Sequence, residues 1–123
     1  MSGGERKLLG RWGEAVAAEE LRRRGWRIVA AGWHCRFGEI DLIAENGTYI
    51  SFTEVKLRKD DKLAQAREFV DHRKQARLRT SAQLFLAERP TELQPRFDVM
   101  EIYAPDGMQT KRPKVIFLEN AFE

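Results

Sequence analysis

The sequence contains little that would support thiol chemistry or a zinc site. Among its 123 residues there is one cysteine, Cys35, and there are two histidines, His34 and His72. A single cysteine excludes an intrachain disulfide, and no pair of cysteine or histidine residues has the spacing of zinc ligands. His34 directly precedes Cys35, and on a strand the two side chains would point to opposite faces, which argues against a catalytic Cys–His pair.

Long apolar runs are also missing. No stretch approaches the roughly 20 consecutive apolar residues that a membrane-spanning helix needs. The first residues, Met1 to Leu9, lack the apolar core of a signal peptide. These absences predict a cytoplasmic protein that does not act in a membrane.

Charge is abundant, and its sign alternates along the chain. Charged residues make up 33% of the sequence, against roughly 25% in typical globular proteins. Segments 1–27 and 55–80 contain seven and nine basic residues against four acidic ones each, whereas segment 28–54 contains one basic and four acidic residues. Acidic groups can hold a cation while basic groups bind the phosphates around it. Solvated helix faces without a binding function would give the same composition.

Hydrophobic periodicity predicts one domain, 1–123, of alternating helices and strands. The predicted elements are a helix over 5–24, strands over 26–30, 39–44 and 49–57, a helix over 62–88, and strands over 96–103 and 115–118. Gly25 supplies a stop for the first helix. The order α-β-β-β-α-β-β predicts an α/β fold with a central mixed five-stranded sheet flanked by helices.

The second and third strands are predicted to form a hairpin, because Asn46-Gly47 between apolar runs is a strong turn signal. A two-residue turn there would pair Asp41 with Phe52 and Glu39 with Glu54. Asp41 and Glu54 would then be diagonal neighbours, about 7–8 Å apart at the backbone.

Side chains alternate along a strand, so Glu39, Asp41, Glu54 and Lys56 are predicted to share one face of the hairpin. Two unit charges 4 Å apart repel by about 4 kcal/mol at an effective dielectric of 20. A bound cation would relieve this repulsion, and oxygen ligands suit magnesium or manganese. The alternative is that these charges lie at a solvated strand end, with Lys56 neutralising a neighbour.

Glu14 is a further candidate on the first helix. It shares a face with Gly10, Ala17, Ala18 and Leu21 through i+3, i+4 and i+7 spacing. This small apolar face is expected to pack against the sheet, and Gly13 gives room for close approach. Glu14 would then point inward or along the edge of the packed face, although surface glutamates are common.

Four segments together resemble a known family. Asp41 followed by Glu54-Val55-Lys56 on the next strand resembles the PD-(D/E)xK nuclease signature, with Ile40 in place of the proline. The wider pattern is similar to the YraN family, small bacterial proteins that resemble Holliday-junction resolvases, and extends from about Arg6 to Phe122. The matching segments are Gly13-Glu14-x-x-Ala17, Gly38 to Ala44, Phe52 to Arg58, and Arg96-Phe97-Asp98-Val99.

The resemblance implies a restriction-endonuclease-like fold and a Mg²⁺ or Mn²⁺ site. Its metal ligands would be Glu14, Asp41, Glu54 and the backbone carbonyl of Val55. Lys56 would be the catalytic lysine, which we expect to stabilise developing negative charge at the phosphate. Glu39 is a possible supporting residue.

Basic side chains near these positions are candidates for nucleic-acid contacts. Lys74 and Arg77 interrupt an apolar stripe on the second helix and could reach past the core edge. Arg36 precedes the acidic strand and Arg58 follows Lys56, so both are candidates for phosphate contacts. All four could equally be ordinary surface charges.

Three functions fit this pattern. The first is a Mg²⁺- or Mn²⁺-dependent endonuclease acting on nucleic acid, most naturally DNA, and the resemblance suggests branched DNA. The second is a non-catalytic nucleic-acid-binding module that retains the nuclease fold, and the third is a protein-binding adaptor. Resolution of a four-way junction needs two active sites and would imply a homodimer.

Overall fold

A computed structural model of the chain describes residues 2–59 and 71–123. Over these residues two helices and five strands alternate in the predicted order, which confirms the predicted α/β class. The elements are α1 (Gly3–Arg23), β1 (Arg27–Cys35), β2 (Gly38–Glu45), β3 (Tyr49–Arg58), α2 (His72–Glu88), β4 (Gln94–Tyr103) and β5 (Lys114–Phe122).

The strands form one mixed sheet whose spatial order follows the chain, β1-β2-β3-β4-β5. β3 and β4 are parallel, and the other neighbours are antiparallel. The consecutive residues Leu42 and Ile43 lie in different core clusters, because side chains alternate across a strand. The cluster with Leu42 includes α1 residues and the cluster with Ile43 includes α2 residues, so the two helices cover opposite faces of the sheet.

Helix α1 has defined signals at both ends. The Ser2 hydroxyl accepts a hydrogen bond from the Glu5 amide at 3.1 Å, as an N-cap does. At the other end the Trp26 amide donates to the Leu21 carbonyl, and the amide of Gly25 donates to Arg22. This is a Schellman motif, and Gly25 has the positive φ of +92° that the motif requires.

Several predicted boundaries were wrong. Strand β1 extends to Cys35 instead of ending at Ala30, and β5 covers 114–122 instead of 115–118. Helix α2 begins at His72, because Asp71 is extended and its carboxylate caps the Lys74 amide at 2.9 Å. The helix predicted over 62–88 therefore does not run through Asp71, and 62–70 lies outside the described residues.

The β2–β3 hairpin forms, but its predicted register was wrong. Ile43 pairs with Phe52 and Glu45 with Ile50, so every partner is displaced by two residues. The reason is that Asn46 is not inside the turn. The backbone amide of Asn46 donates a hydrogen bond to the Tyr49 carbonyl. The side-chain oxygen of Asn46 accepts hydrogen bonds from the backbone amides of Thr48 and Tyr49 at 2.8 and 2.7 Å. A shift of two residues preserves the face of each side chain.

Strands β2 and β3 separate at one end. Their pairing ends at Leu42–Thr53, whereas β2 remains paired with β1 as far as Gly38 and β3 remains paired with β4 as far as Arg58. We call this opening the fork. Asp41 lies at its apex, one residue beyond the last β2–β3 pair.

Near the middle of β4, Asp98 is fully buried and hydrogen-bonded within the sheet. It accepts hydrogen bonds from Arg96 Nε at 2.9 Å, from the Asn120 amide at 2.6 Å and from the Ser51 hydroxyl. Ser51 is also hydrogen-bonded to Thr53 at 2.7 Å. This supports a structural role for Arg96 and Asp98 in holding β3, β4 and β5 together.

Candidate metal centre

Three carboxylates meet at the fork. One oxygen of each of Glu14, Glu39 and Asp41 lies within 4.8 Å of the others. Glu14 comes from α1, and Glu39 and Asp41 come from β2. The structure thus brings Glu14 beside the acidic strand as the helix periodicity predicted, and it makes Glu39 a full member of the cluster.

Two glycines allow close packing around these carboxylates. A Cβ at Gly13 would lie 3.1 Å from side-chain carbons of Leu57, so α1 packs tightly on β3 beside Glu14. Gly32 on β1 has φ +62°, and a Cβ there would lie 3.2 Å from Glu39 Oε1 and 3.8 Å from Glu14 Oε1. Gly32 therefore provides part of the space that the carboxylates occupy.

Asp41 is the most perturbed of the acidic groups. Burial raises its pKa to about 7, with the negative charges of Glu54, Glu14 and Glu39 adding to the effect. The Val55 amide opposes this shift by donating to Asp41 Oδ2 at 2.9 Å. Burial and the charges of Glu39 and Glu54 likewise raise the pKa of Glu14. Ionised together, these carboxylates destabilise one another.

Glu54 lies on the α2 side of the fork and has a cationic partner. Its side chain is buried and forms an ion pair with the ammonium of Lys74 in the first turn of α2. Lys74 was predicted to contact phosphate, but the structure places its ammonium on this carboxylate. A cleft of about 260 Å³ opens here, lined by Phe37, Gly38, Glu39, Asp41, Glu54, Lys74, Arg77, Leu78 and Ser81.

The predicted catalytic lysine stands beside the cleft and does not line it. Lys56 is half-buried and follows Glu54 by two residues, so the two share a face of β3. Its neighbour on β4 is Glu101. The structure therefore confirms the shared face of Glu54 and Lys56, and the catalytic role of Lys56 stays a prediction.

The remaining basic candidates differ in their surroundings. Arg77 is exposed and lines the cleft. Arg36 is exposed in the β1–β2 turn, with its guanidinium 4.8 Å from the ring centre of Phe37, a cleft residue. Arg58 is half-buried, and its Nε lies 3.7 Å from Glu101 Oε2. Arg77 and Arg36 are thus the better placed for phosphate contacts.

Sequence reasoning missed Gly32 and underestimated Glu39. A glycine inside a strand often marks a close approach of another group, and this signal could have identified Gly32. Glu39 was classed as supporting because the resemblance implies Glu14, Asp41 and Glu54 as the side-chain ligands, and strand alternation does not show that β2 leaves β3 beyond Leu42. The Glu54–Lys74 pair joins two elements, and periodicity within each element does not predict it.

The acidic residues fit a hard divalent cation. Every side-chain donor is a carboxylate oxygen, which suits magnesium or manganese better than zinc or copper. Burial, together with neighbouring negative charges, raises the pKa values of Asp41 and Glu14, so ionising these groups together is unfavourable. Because Gly32 has no side chain, the Glu39 and Glu14 carboxylates have room beside β1. Glu14, Glu39 and Asp41 supply the clustered oxygens that would hold the ion, and Glu54, which lies outside that cluster, lines the same cleft as Asp41 and Glu39.

Comparison with known proteins places the chain in a family. The model of the uncharacterised protein family UPF0102 matches residues 13–102. The chain belongs to family UPF0102. The match includes Glu14, both hairpin strands and most of β4, which confirms the family indicated by the sequence motifs.

Members of UPF0102 from distant bacteria align over nearly the whole chain. The Syntrophomonas wolfei protein is 37% identical over 115 residues, covering 93% of this chain and 96% of its own length. The Pelotomaculum thermopropionicum protein is 39% identical over 118 residues, covering 95% and 97%. The Nocardia farcinica protein is 39% identical over 120 residues, covering 97% and 92%. Membership of UPF0102 assigns no reaction by itself.

The helices were also compared with the requirements of a membrane span. Within residues 2–59 and 71–123, neither α-helix is both long enough and apolar enough to cross a bilayer.

Proposed function

We propose that this protein is a nuclease that depends on Mg²⁺ or Mn²⁺ and hydrolyses phosphodiester bonds in nucleic acid, with branched DNA as the substrate that the family resemblance suggests. The observation that carries the proposal is the convergence of Glu14, Glu39 and Asp41 at the fork, where the negative charge of Glu54 adds to the raised pKa of Asp41. Lys74 compensates the charge of Glu54, but three ionised carboxylates this close together would still be unfavourable without a further cation.

The residues around the fork divide the chemical work. Asp41, Glu14 and Glu39 would bind the ion, and Glu54 would complete its coordination from the same cleft. When bound, a divalent cation shields phosphate charge and makes water more acidic. Arg77 and Arg36 would hold flanking phosphates, and Lys56 would stabilise the negative charge that develops on the phosphate under attack.

One observation favours a second candidate, a nucleic-acid-binding module without turnover. Lys56 does not line the cleft, and Lys74 already neutralises Glu54. Such a protein would retain salt-sensitive binding to nucleic acid and would show no cleavage.

A cleavage assay with charge-neutral variants separates the two candidates. Labelled four-way junction, linear duplex and single-stranded DNA are incubated with Mg²⁺ or Mn²⁺. We expect Asp41→Asn to reduce cleavage at least about a hundredfold, because it removes the central carboxylate. Asp106→Asn, in an exposed turn after β4, is the matched control and should leave cleavage unchanged.

The role of Lys56 is tested in the same assay. Lys56→Met should abolish cleavage while leaving metal binding intact, and Lys59→Met, at an exposed position just after β3, should behave as the wild type. Cleavage by Lys56→Met at the wild-type rate would exclude the proposed role. Binding of all three substrates without cleavage under any metal condition would favour the non-catalytic module.

A further inference from the structure

Lys74 has an unusual position for a lysine that contacts phosphate. Its ammonium pairs with Glu54, whose side chain is 6% exposed, while the Lys74 side chain is 37% exposed. Glu54 is also one of the carboxylates proposed to bind the metal ion. A divalent cation and this ammonium therefore compete for the same buried group.

The ion pair has a fixed base and a movable end. The Lys74 amide donates to the Asp71 carboxylate at 2.9 Å in the cap of α2, which holds the backbone of Lys74 in place. Beyond the backbone, the flexible four-carbon side chain can swing without moving the helix. The opening that Lys74 lines also contains Asp41, Glu39 and Arg77.

Glu54 needs a nearby cation whenever its buried carboxyl is ionised. It is buried, and its negative charge raises the pKa values of Asp41 and Glu14. An unpaired buried carboxylate is costly. Lys74 satisfies this requirement when no metal is bound, and a divalent cation would satisfy it more fully by binding Asp41 as well.

We propose that Lys74 is an internal counter-ion that holds Glu54 in the metal-free protein, is displaced when a divalent cation binds, and then binds a nucleic-acid phosphate. This inference rests on the proposed metal site and adds a coupling to it. Because metal binding frees a cationic side chain, metal and nucleic acid should each increase the affinity of the protein for the other.

The competition is measured as Mn²⁺ binding by titration calorimetry without nucleic acid. Lys74→Met should bind Mn²⁺ about tenfold more tightly than the wild type, since a charged hydrogen bond no longer has to be broken. Arg77→Met is the matched control, because it removes one positive charge from the same cleft but leaves the Glu54 ion pair intact. It should change the affinity less than about threefold, as a more distant exposed charge does.

A second measurement uses the wild-type protein and does not depend on how the variant folds. Lysine acylation with mass-spectrometric detection is compared in EDTA and in Ca²⁺. Labelling of Lys74 should increase several-fold when Ca²⁺ is added, while labelling of the exposed Lys59 stays constant. Unchanged labelling of Lys74 at saturating Ca²⁺ would overturn the exchange.

The coupling is measured with a fluorescent DNA duplex in EDTA and in Ca²⁺. Ca²⁺ should strengthen DNA binding more for the wild type than for Lys74→Met. If Mn²⁺ binds the wild type but Lys74→Met and Arg77→Met change the Mn²⁺ affinity equally, the proposed displacement of Lys74 is wrong and the metal site stands. If Mn²⁺ binds none of the three proteins, the exchange and the metal site both fail.

Discussion

Asp41 is the residue on which the chemistry of the fork depends most. It belongs to the cluster with Glu14 and Glu39, it lines the cleft with Glu54, and it fixes β3 by accepting the Val55 amide. Burial together with the neighbouring negative charges raises its pKa to about 7. A metal-free protein therefore carries a protonated Asp41 at mildly acidic pH.

This shift makes stability depend on pH in a defined direction. The folded protein binds the Asp41 proton up to about pH 7, whereas the ordinary pKa of an aspartate carboxyl is 3.8. The stability contributed by this proton is present at low pH and is lost as the pH rises from about 4 to about 7. Urea unfolding in EDTA should show this loss, which amounts to a few kcal/mol at most.

Two variants assign the pH effect to Asp41. Asp41→Asn cannot ionise, so its stability should fall less than that of the wild type over the same pH range. Asp106→Asn should retain the wild-type dependence, since it changes an exposed turn residue. Parallel curves for the wild type and Asp41→Asn would show that Asp41 is not the titrating group.

The residues of the site were predictable where they depend on one element. Alternation placed Glu39, Asp41 and Glu54 correctly on one face, because a displacement of two residues in register does not change a face. The raised pKa of Asp41 and the Glu54–Lys74 pair could not be predicted, because both depend on how elements from different parts of the chain pack together.

At the scale of elements, the approach of α1 to the sheet determines where Glu14 lies. Gly13 is buried against Leu57, whereas Gly10, one turn earlier, has no atom within 4 Å of an added Cβ. The helix and its glycine were predictable from the small apolar face. The end of β1 was not predictable, because Gly32 and His34 interrupt its apolar pattern. The strand nevertheless stays paired with β2 as far as Cys35.

The two glycines give a matched pair of variants. Gly13→Val should lower the free energy of unfolding by about 1–3 kcal/mol, because a larger side chain in a packed contact forces the helix away. Gly10→Val introduces the same side chain into open space and should have a much smaller effect. Denaturant unfolding measures both, and equal losses would show that close packing at Gly13 is unimportant.

At the scale of the whole molecule, the alternation of charge along the sequence becomes an arrangement in space. The acidic segment forms the fork, and the basic segment supplies Lys74 and Arg77 on the facing wall of the cleft. The predicted order of helices and strands gave only the outline of this arrangement. Periodicity gave the sheet and its helices, but it did not show that β2 and β3 separate beside α2.

This arrangement predicts how salt affects binding to nucleic acid. The logarithm of the affinity for a DNA duplex should fall linearly with the logarithm of salt concentration, and Arg77→Gln should reduce the slope by about one, as the loss of one phosphate contact does. Arg89→Gln, an exposed change just after α2, alters net charge equally and should retain the wild-type slope. Equal slopes for the wild type, Arg77→Gln and Arg89→Gln would show that the DNA does not contact Arg77.

The agreement between chain order and strand order has a consequence for assembly. The two strands of each antiparallel pair are joined by a short connection, whereas the parallel strands β3 and β4 are joined by the long segment 59–93. The entropic cost of bringing the ends of a connection together grows with its length. The meander β1-β2-β3 already carries Glu39, Asp41 and Glu54, but it gains Lys74 only when α2 docks. A chain still emerging from the ribosome therefore exposes Glu54 before the ammonium that pairs with it is in place.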